Sequence, residues 1–100
     1  MSINIDKLVS EFGGCVWERE GKKRVYFNDI EEISGLSINR YGTGNVSSAS
    51  LNGKKISNSH ARRIAPDSFS KLWYDCVTEK FESRNLNNEV FESAVSRLTD

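Results

Sequence analysis

Ile5, Leu8, Val9 and Phe12 stand at i, i+3, i+4 and i+7, the stripe of a short amphipathic helix. Asn4 is placed to cap its start, Asp6 suits the first turn, and Gly13 suits the left-handed position that ends a helix. The period then shortens to two. Cys15, Trp17 and Arg19 alternate with Val16 and Glu18, and Lys23, Val25 and Phe27 alternate with Arg24 and Tyr26. With Glu20-Gly21-Lys22 between them, these runs predict a β-hairpin over 15–19 and 23–27. Asn28-Asp29-Ile30-Glu31 has capping-box spacing and opens a short helix with Ile30 and Ile33 facing inward, ended by Gly35. Leu36 and Ile38 begin another extended run.

The stretch 40–50 mixes Gly, Ser, Thr and Asn and reads as a loop feeding a strand. Asn52-Gly53 is the strongest hairpin signal in the chain, because both residues tolerate the positive φ angles of a type I′ turn. Ser57-Asn58-Ser59 caps a helix of about two turns holding His60, Ala61, Arg62, Arg63 and Ile64, since Pro66 biases Ala65 out of helical geometry. Leu72, Tyr74 and Cys76 alternate with Trp73, Asp75 and Val77 in a core strand, and Phe81 suggests a short returning one. Leu86, Val90, Phe91, Ala94, Val95 and Leu98 form one face of a closing helix that packs on the sheet or on a partner. The expected fold is α+β, one small antiparallel or mixed sheet of about five strands with short helices packed on it. Trp17, Phe27, Leu72 and Tyr74 are expected in the core, with Trp73 on the opposite, exposed side.

Composition narrows the class. One hundred residues set a single globular domain over 1–100. No apolar run approaches the roughly 20 residues of a membrane helix. The start, Met1 to Asp6, lacks the basic and apolar segments of a signal peptide, and two Cys 61 residues apart make no disulfide framework. A soluble, cytoplasmic, reduced protein is expected. Fourteen basic and fourteen acidic side chains cancel, but unevenly. Residues 1–21 sum to −2, residues 22–63 to +5 and residues 64–100 to −3. A basic middle between acidic ends predicts one positive and one negative face, with ordinary mixed surface as the alternative.

Candidate chemistry is sparse. One His and two distant Cys offer no zinc spacing, so no metal or other cofactor is expected. His60, beside two arginines, lacks the orienting group a nucleophilic site needs, and both Cys read as core thiols. Glu31 and Glu32 are adjacent on a helix and diverge, so they form no acid–base pair. Gly42-Thr43-Gly44-Asn45 is neither a P-loop nor a dinucleotide fingerprint, although its backbone amides could receive an anion. What remains is basic and aromatic: Arg24 and Tyr26 on one strand face, Arg40, Tyr41 and Asn45 at the flexible loop, Lys54 and Lys55 at the hairpin, and Arg62 and Arg63 on the helix. Guanidinium forks hold phosphate and Tyr rings stack on bases, so this set suits nucleic acid or an acidic protein surface. Arg62 and Arg63 are expected beside Arg40 and Tyr41 on one patch.

The runs Arg24-Val25-Tyr26-Phe27-Asn28, Arg40 to Gly53, Ile56 to Arg63 and Leu72-Trp73-Tyr74-Asp75 resemble a family of small phage and prophage accessory proteins, over about residues 14–76. The resemblance implies a host-takeover or anti-defence factor, anti-CRISPR proteins among them, that occupies a surface of a host protein or nucleoprotein complex. It implies no catalytic residue. Two functions follow: a non-catalytic inhibitor of a host defence nucleoprotein, with the run 40–50 and the acidic terminal helix as contacts, or a small nucleic-acid-binding regulator using the basic middle. No membrane partner is expected.

Overall fold

The structure, a computed structural model, describes residues 3–100, so Met1 and Ser2, part of the start that the sequence reading used, lie outside the described residues. Helix α1 (Ile5–Phe12) begins where the Asn4 side chain accepts the Lys7 N–H. It ends at Gly13, whose left-handed φ of +68° lets its N–H reach Leu8 O. Gly14 then passes so close to strand β2 that a Cβ would stand 2.5 Å from Val25 Cγ1, so only glycine fits there. Strands β1 (Cys15–Arg19) and β2 (Lys22–Phe27) form the expected hairpin, with Glu20 and Gly21 at positive φ. Helix α2 (Ile30–Ser34) is capped by Asp29 accepting from Glu32 N–H, one residue later than the capping-box spacing at Asn28 predicts.

Strands β3 (Leu36–Arg40), β4 (Val46–Leu51) and β5 (Lys54–Ile56) follow, then helix α3 (Asn58–Ile64). Strands β6 (Lys71–Asp75) and β7 (Lys80–Arg84) precede helix α4 (Asn88–Thr99). The fold is α+β, with seven strands in two antiparallel sheets in place of one sheet of about five: β1-β2-β6-β7 and β3-β4-β5. The extended runs marked at Leu36 and Phe81 are full strands, β3 and β7. The Asn52-Gly53 turn, at φ +53° and +81°, folds β5 back on β4 and completes the second sheet before the chain returns to the first.

One face of the four-stranded sheet carries Val25, Phe27, Leu72 and Tyr74, all buried, against Leu8 of α1, Ile30 and Ile33 of α2, and Val90, Ala94 and Leu98 of α4. The three-stranded sheet packs Val46 and Ala49 against Ala61 of α3, with Ile38 and Ile56 beside them. A polar junction ties the two parts. Asn52 Nδ2 donates to Ser93 Oγ at 2.5 Å, Ser93 Oγ donates to the Ser34 carbonyl at 2.6 Å, and Asn52 N–H donates to Gly35 O. The molecule is elongated, 44 × 25 × 21 Å.

Candidate functional site

Alternation divides each sheet into an inner and an outer face. On the outer face of the four-stranded sheet, register places Trp17 opposite Arg24 and Arg24 opposite Asp75, with Tyr26 opposite Trp73 in the next row. The Arg24 guanidinium lies over both tryptophan rings, 5.1 Å from the Trp73 centroid and 5.8 Å from that of Trp17. Its Nη1 donates to the Tyr26 hydroxyl at 2.9 Å, and that bond is the first reason its pKa is raised. Tyr26 meets Trp17 edge-on at 6.3 Å and Trp73 at a tilt at 5.6 Å. The Asp75 carboxyl is held below its ordinary 3.8 chiefly by the Thr78 N–H, with the Val77 N–H and the Arg24 charge adding to it. Arg24 and Tyr26 share a strand face as expected, and the structure adds their hydrogen bond and sets them inside an aromatic cluster.

Both tryptophans depart from the sequence reading. Trp17 is not a core residue; it is 38% exposed, because β1 is an edge strand exposed along its whole length. Trp73 does point away from Leu72 and Tyr74, yet only 7% of it is exposed, because Arg24 and Tyr26 lie across it. Phe27, Leu72 and Tyr74 are in the core.

The remaining candidates belong to the three-stranded sheet and its helix. Its inner row is Ile38, Ala49 and Ile56; its outer rows are Ser37, Ser50 and Lys55, then Asn39 and Ser48, the last two joined by a 3.0 Å hydrogen bond. Lys54 and Lys55 are adjacent in a strand and so point to opposite faces. At the far end a bulge after Asn39 leads into the exposed loop 41–45, closed by Tyr41 N–H donating to Asn45 O. Tyr41 is 62% exposed, and the Arg40 guanidinium turns back to the Gly44 carbonyl.

Arg62 and Arg63 do not complete that surface. Helix α3 covers the inner face, so its arginines stand on the other side of the sheet from Ser48, Ser50 and Lys55. Arg63 is 3.4 Å from His60 Nδ1, and His60 Nε2 is 2.6 Å from Glu89 in the first turn of α4. The helix packs by Ala61 and Ile64, which turns Arg62 and Arg63 away from the sheet and off the outer face that carries Ser48, Ser50 and Lys55.

Folding also sorts the charges. No carboxylate side chain occurs between Glu32 and Asp67, the segment that builds the whole of β3, β4, β5 and α3. That lobe carries Arg40, Lys54, Lys55, Arg62 and Arg63 uncompensated within itself. Every acid belongs to the other lobe, where Glu11, Asp29 and Glu32 line one groove on the helical side. Glu31 and Glu32 share a shallow groove with Ser37 and bound the acid-free surface at that end.

Among the described residues no cluster of His, Cys, Asp and Glu is arranged to hold a metal ion, and no helix is long and apolar enough to cross a membrane. Both thiols are free, and burial pushes the Cys76 thiol up. Comparison of the chain with protein-family models, with curated proteins and with solved structures finds no match.

Proposed function

We propose that this chain is a non-catalytic nucleic-acid-binding protein of the phage-accessory kind, working in the cytoplasm of a bacterial host, and that it lays the outer face of its three-stranded sheet against a duplex. One observation carries this reading: the lobe built from β3, β4, β5 and α3 contains cations and no carboxylate. The shape of the face agrees with the charge. Three strands about 4.8 Å apart make a ribbon about 10 Å across, and the major groove is about 12 Å wide. Asn39, Ser48 and Ser50 are short donors and acceptors that bring the backbone close to base edges, while Lys55 and the Arg40 loop reach phosphates.

The test is fluorescence anisotropy of a labelled duplex at two salt concentrations. With Arg40 and Lys55 as the phosphate contacts, log affinity falls against log salt with a slope of about −2. Lys55→Glu weakens binding about tenfold, a change of about 1.4 kcal/mol. No binding to duplex at low salt, or an unaltered affinity in Lys55→Glu, overturns the reading.

A second reading, stoichiometric inhibition of a host defence nucleoprotein, is favoured by a different observation. Glu11, Asp29, Glu31 and Glu32 gather on the helical side of the other lobe. An acidic surface of that kind complements the basic channel of a protein that handles nucleic acid. Capture of a defined host protein by the tagged chain after nuclease treatment, lost in a Glu31→Lys/Glu32→Lys variant, identifies this mode.

A further inference from the structure

The outer face of the four-stranded sheet is not used by the duplex reading, and it carries a different chemistry. Besides Arg24 it presents Arg19, Lys22, Lys71, Lys80 and Arg84 at in-register positions, against Asp75 and Glu82. The charge suits a polyanion. Unlike the three-stranded sheet, it also offers π surfaces: Trp17, more than a third exposed, and Tyr26. Beside them lies a groove of about 540 Å³ lined by Trp17, Tyr26, Phe27, Asn28, Ser68, Ser70 and Lys71. Aromatic walls, an amide and hydroxyls, and an ammonium at one end match the three parts of a nucleotide: a base face, a base edge and a phosphate.

We infer that this face is a second site, specific for single-stranded nucleic acid, with one unstacked base against Trp17 in the groove and the backbone running along the cationic rim. A duplex keeps its base faces inside the stack and has nothing to offer Trp17, whereas a single strand presents both faces of each base. Arg24 is pre-positioned for the backbone. Its Nη1 is held by Tyr26 and its plane by two indoles, while Nε is buried 3.9 Å from Asp75 and a quarter of the side chain stays exposed. That exposed part is placed to meet a phosphate oxygen. The inference rests on the nucleic-acid reading for the choice of polymer, and on separate residues for the site.

The experiment is titration of tryptophan fluorescence with oligo(dT), with a duplex of equal phosphate content, and with polyglutamate. Oligo(dT) quenches the emission, polyglutamate does not, and the duplex binds without comparable quenching. Trp17→Ala removes the quenching and weakens oligo(dT) about fivefold or more, as loss of one base–aromatic stack requires. Lys71→Glu keeps the aromatic floor and weakens oligo(dT) as well, which guards against misfolding of Trp17→Ala. Lys55→Glu leaves oligo(dT) binding unchanged, so failure of the duplex reading and failure of this one give different results. Unchanged fluorescence with oligo(dT), full affinity in Trp17→Ala, or equal quenching by polyglutamate overturns the single-strand site; the last identifies an acidic peptide as its ligand.

Discussion

The two sheets carry cations in opposite ways. The three-stranded sheet is continuous in sequence, joined by local turns, faced with serine and asparagine, and free of acids. The four-stranded sheet joins β2 to β6, strands far apart in the chain, and its outer face sets Arg24 among two tryptophans, a tyrosine and Asp75. A charge without counter-charge acts over a Debye length, about 8 Å at physiological salt. A guanidinium stacked on indole acts at contact, with its orientation fixed before the ligand arrives. In the proposed function, the first surface attracts polyanions in general and the second selects among them.

Separating the two parts is the strongest way to break this comparison, and Asn52 is the place. Its side chain bonds to Ser93 and its backbone to Gly35, while its φ of +53° suits asparagine or glycine. Asn52→Ala loses the side-chain bond and takes on left-handed strain, for a cost of about 2–4 kcal/mol. Asn52→Gly loses only the bond, for about 1–2 kcal/mol. Urea unfolding of both variants measures the difference: an Asn52→Gly without cost would mean that the junction contributes nothing, and equal costs that the left-handed φ carries no strain.

A smaller effect sharpens the division of the basic residues. Arg62→Glu/Arg63→Glu, on the side of the sheet away from Ser48 and Lys55, lowers duplex affinity by no more than about threefold through general electrostatics. It leaves stability within about 0.5 kcal/mol. Abolished binding in the anisotropy assay would instead put α3 in the interface.

The smallest effect distinguishes the four-stranded sheet by acid titration. The Asp75 pKa is lowered, so the unfolded chain binds more protons than the folded one in the window below the ordinary carboxylate value. Its contribution to stability is complete above that value and is lost as pH falls through the depressed one. Asp75→Asn therefore flattens the decline of Tm below pH 3.8, and an unchanged slope would show that Arg24 and the turn N–H groups do not act on the carboxylate.

Much of this was legible along the chain. The stripe of α1, the Asn52-Gly53 hairpin, the Ser57 cap and the apolar face of α4 are local patterns, and local patterns are set by backbone sterics and near-neighbour contacts. The α2 cap slipped by one residue because Asn28 and Asp29 are both competent caps, and their order along the chain does not choose between them. Trp17 was misplaced for a similar reason. In Cys15-Val16-Trp17-Glu18-Arg19 neither alternate set is purely apolar, so burial depends on whether a further strand lies outside β1, and none does among the described residues.

The candidate site was less legible than the fold. Arg24 and Tyr26, two residues apart on a strand, had to share a face. That Trp73 would complete their cluster required the pairing of β2 with β6, and that Lys80 and Arg84 would join it required β7. The direction of Arg62 and Arg63 followed from which side of α3 met Val46 and Ala49.

The elements and the turn at Asn52-Gly53 follow from the chain alone, because each depends on residues within a turn or two of one another, and the α+β class and the basic middle follow from their order and composition. Only the tertiary structure decided that the strands form two sheets, that the acid-free segment becomes one lobe, and that Arg24 lies between two tryptophans. Those outcomes depend on which strands pair across long loops. That choice is made by the burial of whole faces against one another, which no window of sequence contains.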